Sequence, residues 1–195
     1  MKVIHPLRKL MAALPGAVLA YLIQATVMNY LPVGGVTGSV LFAYLAVILV
    51  SCGKKSVFIA SSVIGILMES MLSKVVSLYI ICYPLITMLW AQVFCDMTDR
   101  QREQRALLHP NRRQEDLPAM VRIPLSAACM CLTMQVVNLG YVYLVGNALT
   151  AVHFQRAFVQ TVYTVALSVG LAFPVRLALG MYRKPAAGPE KGEPA

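Results

Sequence analysis

The sequence predicts an all-α, polytopic membrane protein with six transmembrane helices, and three observations carry that expectation. Of its 195 residues, 58% are hydrophobic and only 13% charged, with a mean hydropathy of +0.69, more apolar surface than a water-soluble fold can hide. The apolar residues run in stretches close to the roughly 20 helical residues that cross about 30 Å of hydrocarbon. Lipid offers the backbone no hydrogen-bond partner, so such stretches must close their own bonds as helices. The charges, finally, fall between the stretches. The formal net charge of +9 therefore forms no basic face of the kind that binds nucleic acid.

The first span is expected over 14–31, with Pro15 in its first turn, where the missing N–H would have had no partner anyway. Lys2, Arg8 and Lys9 ahead of it imitate a signal peptide, but the apolar run outlasts a signal core and further spans follow, which predicts an uncleaved helix. Pro32, Gly34 and Gly35 make a turn into a second span at 36–51, which Gly53, Lys54 and Lys55 close. The apolar run 56–94 is too long for one helix. It predicts a short third span at 56–68 and a fourth at 76–94, with the break around Glu69 to Lys74 and Pro84 inside the fourth.

Residues 96–122 form the one long polar segment, rich in arginine. Asp96 with Arg100 and Asp99 with Arg102 have helical spacing, so the fourth helix is expected to continue past the membrane until Pro110 stops it. The fifth span is expected over 123–145, from Pro124 in its first turn to Gly146 and Asn147, and the sixth over 157–179. Residues 1–184 make a single membrane domain on this reading. The tail 185–195, rich in Pro, Gly, Lys and Glu, is expected to be disordered.

Orientation follows from the basic residues. With the N-terminus inside, fifteen of the 17 Lys and Arg lie on the cytoplasmic side and only Lys74 and Arg156 on the other. The positive-inside rule then predicts a multi-pass protein of the plasma membrane with both termini and the loop 96–122 in the cytoplasm.

The apolar runs supply little chemistry. Glu69 is their single acidic residue, which excludes paired intramembrane carboxylates. His5, His109 and His153 belong to three separate polar regions, and Cys52, Cys82, Cys95, Cys129 and Cys131 lack zinc-ligand spacing and read as small apolar packers. No P-loop, zincin or nucleophile-elbow motif occurs. The expectation is a protein that is not an enzyme, with no catalytic residue, metal or cofactor.

Glu69 has two readings: an outer-end carboxylate that meets headgroups or Lys74, or an anchor for the inter-helix turn or a partner. Gln24, Asn29, Gln135, Asn138 and Gln160 are read as interhelical hydrogen-bonding residues. Four small-residue pairs, Ala12 with Gly16, Gly34 with Gly38, Ser61 with Gly65 and Ala166 with Gly170, suit close helix packing or a subunit interface.

From residue 22 to residue 94 the chain resembles the MreD family of rod shape-determining membrane proteins. The resemblance lies in Leu22-Ile23-Gln24-Ala25-Thr26-Val27, the basic turn at Lys54 and Lys55, and the run Gly65-Ile66-Leu67-Met68-Glu69, where the family usually ends in Asp. It implies a six-helix fold similar to the substrate-binding subunits of energy-coupling-factor transporters. It also implies a non-catalytic scaffold of the cell-elongation machinery that binds the bitopic protein MreC. Through MreC the family is tied to MreB, RodA and a class B penicillin-binding protein, and so to side-wall peptidoglycan synthesis. Glu69, Gln24, Asn29, Lys54 and Lys55 are the candidate structural or partner-contact residues. The alternative is a transporter subunit holding a small vitamin-like molecule between helices, for which Asn29, Glu69, Tyr79, Tyr83, Asn147 and Arg156 are the polar residues at the outer ends.

Overall fold

The computed structural model describes residues 6–71, 78–95, 118–146, 148 and 150–179. Among them every regular element is helical: α1 (Pro6–Thr26), a 3-10 turn (Met28–Tyr30), α2 (Val40–Cys52), α3 (Lys54–Met71), α4 (Leu78–Phe94), α5 (Ala119–Leu144) and α6 (Ala151–Ala178). By length and composition α5 and α6, of 26 and 28 residues, are long and apolar enough to cross a membrane, and α2 and α4 are shorter apolar helices. The expected continuation of α4 to Pro110, the arginine-rich loop up to residue 117 and the tail 185–195 lie outside the described residues.

Several boundaries differ from the sequence-based expectation. α1 starts at Pro6, eight residues early, so Pro15 stands inside the helix and not in its first turn. Pro6 has the same virtues at a helix start, a fixed φ and no N–H to leave unpaired, and the intervening residues are good helix formers. Likewise α5 starts at Ala119 after Pro118, which leaves Pro124 in the interior. α1 also ends sooner than residue 31: Thr26 Oγ1 donates to Leu22 O at 2.6 Å and Asn29 Nδ2 to Ala25 O at 2.8 Å, so side chains take up last-turn carbonyls.

The second helix begins at Val40, not at residue 36. Gly34 and Gly35, at φ +61° and +75°, build a tight turn that pairs Val33 with Val36 through two backbone hydrogen bonds of 2.9 and 3.1 Å. Val36 is thus committed to an extended pairing. α3 is longer than the short span expected, with 18 residues, because Gly53 at φ +89° reverses the chain and Lys54 opens the next helix at once. α6 likewise extends six residues upstream of residue 157, where Thr150 and His153 bond to each other across its first turn.

α2 is the centre of the bundle. Val40 to Leu49 and Ser51 are all buried, so the helix has no exposed face, and it packs against each of the other five described helices. An all-apolar circumference is what such a position requires. At 13 residues α2 is only about 20 Å long, so its ends lie within the bundle. α6, in contrast, buries only 22% of its apolar window and forms an outer wall.

Consecutive helices alternate in direction. Residues from the end of α1, the start of α2, the end of α3, the start of α4, the second half of α5 and the first half of α6 meet around one cavity, which puts those six helix parts towards one end. The start of α1, the Gly53 turn, the end of α4, the start of α5 and the end of α6 make up the other end. Lys54, Lys55, Arg122 and Arg176 belong to it, whereas Arg156 lies at the cavity end.

Small residues set the helix spacings. A Cβ on Gly16 would overlap the Tyr44 hydroxyl, which donates to Ala13 O at 2.7 Å and ties α1 to α2. A Cβ on Gly65 would stand 3.0 Å from Tyr79 O and 3.2 Å from Ile80 Cα, both backbone atoms of α4. One turn away, Thr87 Oγ1 lies 2.9 Å from Ser61 Oγ. Gly65→Val is therefore expected to lower the melting temperature of the detergent-purified protein by an amount corresponding to at least about 1–3 kcal/mol, since helix backbones must separate. Gly140→Ala, at a site with nothing within 4 Å, should leave it unchanged or slightly raised.

Candidate functional site

Burying the start of α2 creates a specific problem: its first-turn N–H groups have no carbonyl partners within the helix, and no water surrounds them. Neighbouring side chains supply the answer. Gln24, near the end of α1, accepts from Val40 N through Oε1 at 2.7 Å and donates through Nε2 to Gly38 O at 3.3 Å, so that one carboxamide grips the chain on both sides of Ser39. Ser39 N donates to Thr164 Oγ1 of α6 at 3.0 Å, and Ser39 Oγ accepts from Phe42 N at 3.3 Å as the N-cap. Thr164 Oγ1 in turn donates a hydrogen bond to the backbone Gln160 O at 2.8 Å. Gly38 has to be glycine for this approach, because a Cβ there would come within 2.8 Å of Leu167 Cδ1 and 3.0 Å of the Tyr163 ring.

Beside this clamp lies a cavity of about 120 Å³. Gln24, Ser39, Leu41 and Phe42 form the side towards α2; Met68 comes from α3 and Tyr79 and Tyr83 from α4; Cys131, Met134, Gln135 and Asn138 from α5; and Gln160 from α6. The Phe42 and Tyr83 rings stack with centroids 4.8 Å apart and planes 5° apart, and Tyr79 sits 6.1 Å from Tyr83. Cys131 is buried, its Sγ 3.7 Å from Thr164 Oγ1 and 3.8 Å from Thr161 Oγ1. A site this rich in amides and hydroxyls, enclosed by an apolar bundle, is built for neutral hydrogen bonding. Among the described residues no ionised side chain lines it, and no three His, Cys, Asp or Glu side chains converge.

The residues singled out from sequence are distributed unevenly around it. Gln24, Gln135, Asn138 and Gln160 come together in the lining, and Tyr79 and Tyr83 join them. Glu69 stands next door: its Oε2 accepts from Tyr79 N at 3.1 Å, so the carboxylate caps the first turn of α4 and bridges the α3–α4 connection. Lys74 and Asn147 lie outside the described residues. Asn29 is spent on Ala25 O, Arg156 is exposed away from the lining, and Lys54 and Lys55 are exposed at the opposite end. Ser39, Thr164 and Cys131 were not singled out as site residues. Thr164 could have been found from its spacing, four residues after Gln160 on an otherwise apolar helix.

Comparison with protein-family models, curated proteins and solved structures finds no match to this chain.

Replacing Gln24 with Leu leaves Val40 N and Gly38 O without partners at about 1–3 kcal/mol each, and the expected result is a large fall in melting temperature. Glu69→Gln keeps an oxygen acceptor for Tyr79 N and should cost little, whereas Glu69→Ala should cost about 0.5–2 kcal/mol in the same measurement.

Proposed function

We propose that this chain is a non-catalytic membrane scaffold of the MreD type. It crosses the plasma membrane six times with both ends in the cytoplasm, and it supports side-wall peptidoglycan synthesis by binding an MreC-like bitopic protein. Through that partner it is linked indirectly to MreB, RodA and a class B penicillin-binding protein. On this reading its six-helix fold is of the kind found in the substrate-binding subunits of energy-coupling-factor transporters. No cofactor enters this function, and the chain's working contacts are helix to helix.

The observation that carries the reading is an unfilled contact. Gly16, Gly38 and Gly65 are each closed over by another part of the chain, but Ala166 and Gly170 face outward on α6, and nothing approaches within 4 Å of a Cβ placed on Gly170. They sit among the exposed Val162 and Val169 on the least buried of the long helices. In lipid, where apolar residues gain little from leaving their solvent, a small-residue notch of this kind lets a second backbone approach closely. A single-span partner fits that need. The placement of Lys54, Lys55, Arg122 and Arg176 at one end supports the proposed orientation, with that end in the cytoplasm.

Gly170→Leu is expected to abolish co-purification of the bitopic partner while leaving the melting temperature of the isolated protein unchanged; retention of the partner would remove α6 as the docking face. A cysteine introduced as Arg105→Cys should resist a membrane-impermeant thiol reagent applied to intact cells, and labelling of it would reverse the orientation.

A further inference from the structure

We infer that the cavity at the start of α2 is a binding site for a small uncharged molecule bearing an amide-like pairing of hydrogen-bond donor and acceptor. This goes beyond the scaffold reading and does not depend on it.

The lining has hydrogen-bonding capacity that the protein does not use. Gln24 and Ser39 are consumed by the α2 backbone. Asn138 and Gln160 are not: among the described residues neither side-chain amide makes a hydrogen bond, although both line the cavity. Tyr83, only 3% exposed, likewise lines it with a hydroxyl that has no hydrogen-bond partner among those residues. Asn138 and Gln160 are half-buried and Tyr83 is buried, so a molecule in the cavity meets three side chains whose hydrogen-bonding groups are open to it.

The chemistry selects a neutral occupant. A cation or anion would be desolvated here, since among the described residues no Lys, Arg, Asp or Glu lines the site and the neighbouring Glu69 carboxylate is already engaged by Tyr79 N. The positive end of α2 does not act as an anion hole either, because Ser39 N, Val40 N and Phe42 N already donate to Thr164, Gln24 and Ser39. Carboxamides both give and accept hydrogen bonds, and the groups they match best do the same. Met68 and Met134 supply adaptable apolar contact beside them.

The full-length protein in detergent is titrated with two isosteric sets, acetamide with acetate and acetamidinium, and benzamide with benzoate and benzamidinium, while its melting temperature is followed. At least one amide should raise the melting temperature saturably and its charged counterparts should not. The double variant Asn138→Leu, Gln160→Leu should weaken the response by about tenfold. Tyr83→Phe keeps the ring stacked on Phe42 and should weaken it several-fold, which preserves the test if the double variant misfolds. Absence of a response to both amides, an equal response to a charged analogue, or a full response in Tyr83→Phe together with the double variant would overturn the inference. Co-purification of the bitopic partner should be unaffected by Tyr83→Phe, which separates this site from the scaffold surface.

Discussion

Everything else in the fold follows from surrounding one helix on all sides. α2 has no exposed face, and a helix in that position can use apolar side chains everywhere along its length but not at its ends, where backbone groups still need partners. The first turn takes them from α1 through Gln24 and from α6 through Thr164. The last turn reverses at once through Gly53 into α3. One polar grip and one tight reversal thus fix the central element, and the small residues Gly16, Gly38 and Gly65 set how near the surrounding chain can come.

The number and order of the described helices could be read from the apolar runs, because the match between run length and helix rise does not depend on tertiary detail. Their beginnings could not. Pro6 and Pro15, and again Pro118 and Pro124, are pairs of residues with identical chemistry near a helix start, and only packing decides which one opens the helix and which is absorbed inside it. Local turn chemistry was informative where it was strong: Gly34 and Gly35 adopt positive φ as a tight reversal demands. It was misjudged where the linker is a single residue, Gly53 between Cys52 and Lys54, so that Lys54 and Lys55 open α3 instead of closing the turn.

The site was half legible. Its amides stood out as polar residues inside apolar helices, and Gln135 with Asn138 has the spacing of a single helix face. What the sequence could not supply was their convergence, since Gln24 and Gln160 meet only after the chain has alternated direction across the whole bundle. Glu69 shows the same limit from the other side. Its isolation marked it as unusual, but its bond to a backbone N–H ten residues later depends on how α4 is entered. Polar groups thus serve three tasks in this bundle, ending helices, tying neighbouring helices together and furnishing an interior chamber.

α2 is synthesised early, yet two of the helices that enclose it, α5 and α6, come last, and the bond from Ser39 to Thr164 spans 125 positions. During translation an oily segment about 20 Å long, too short to reach across a bilayer unaided, must therefore wait for neighbours still inside the ribosome. Folding of this chain then has a built-in delay, in which the second helix stays incompletely covered until the last described helix has been made.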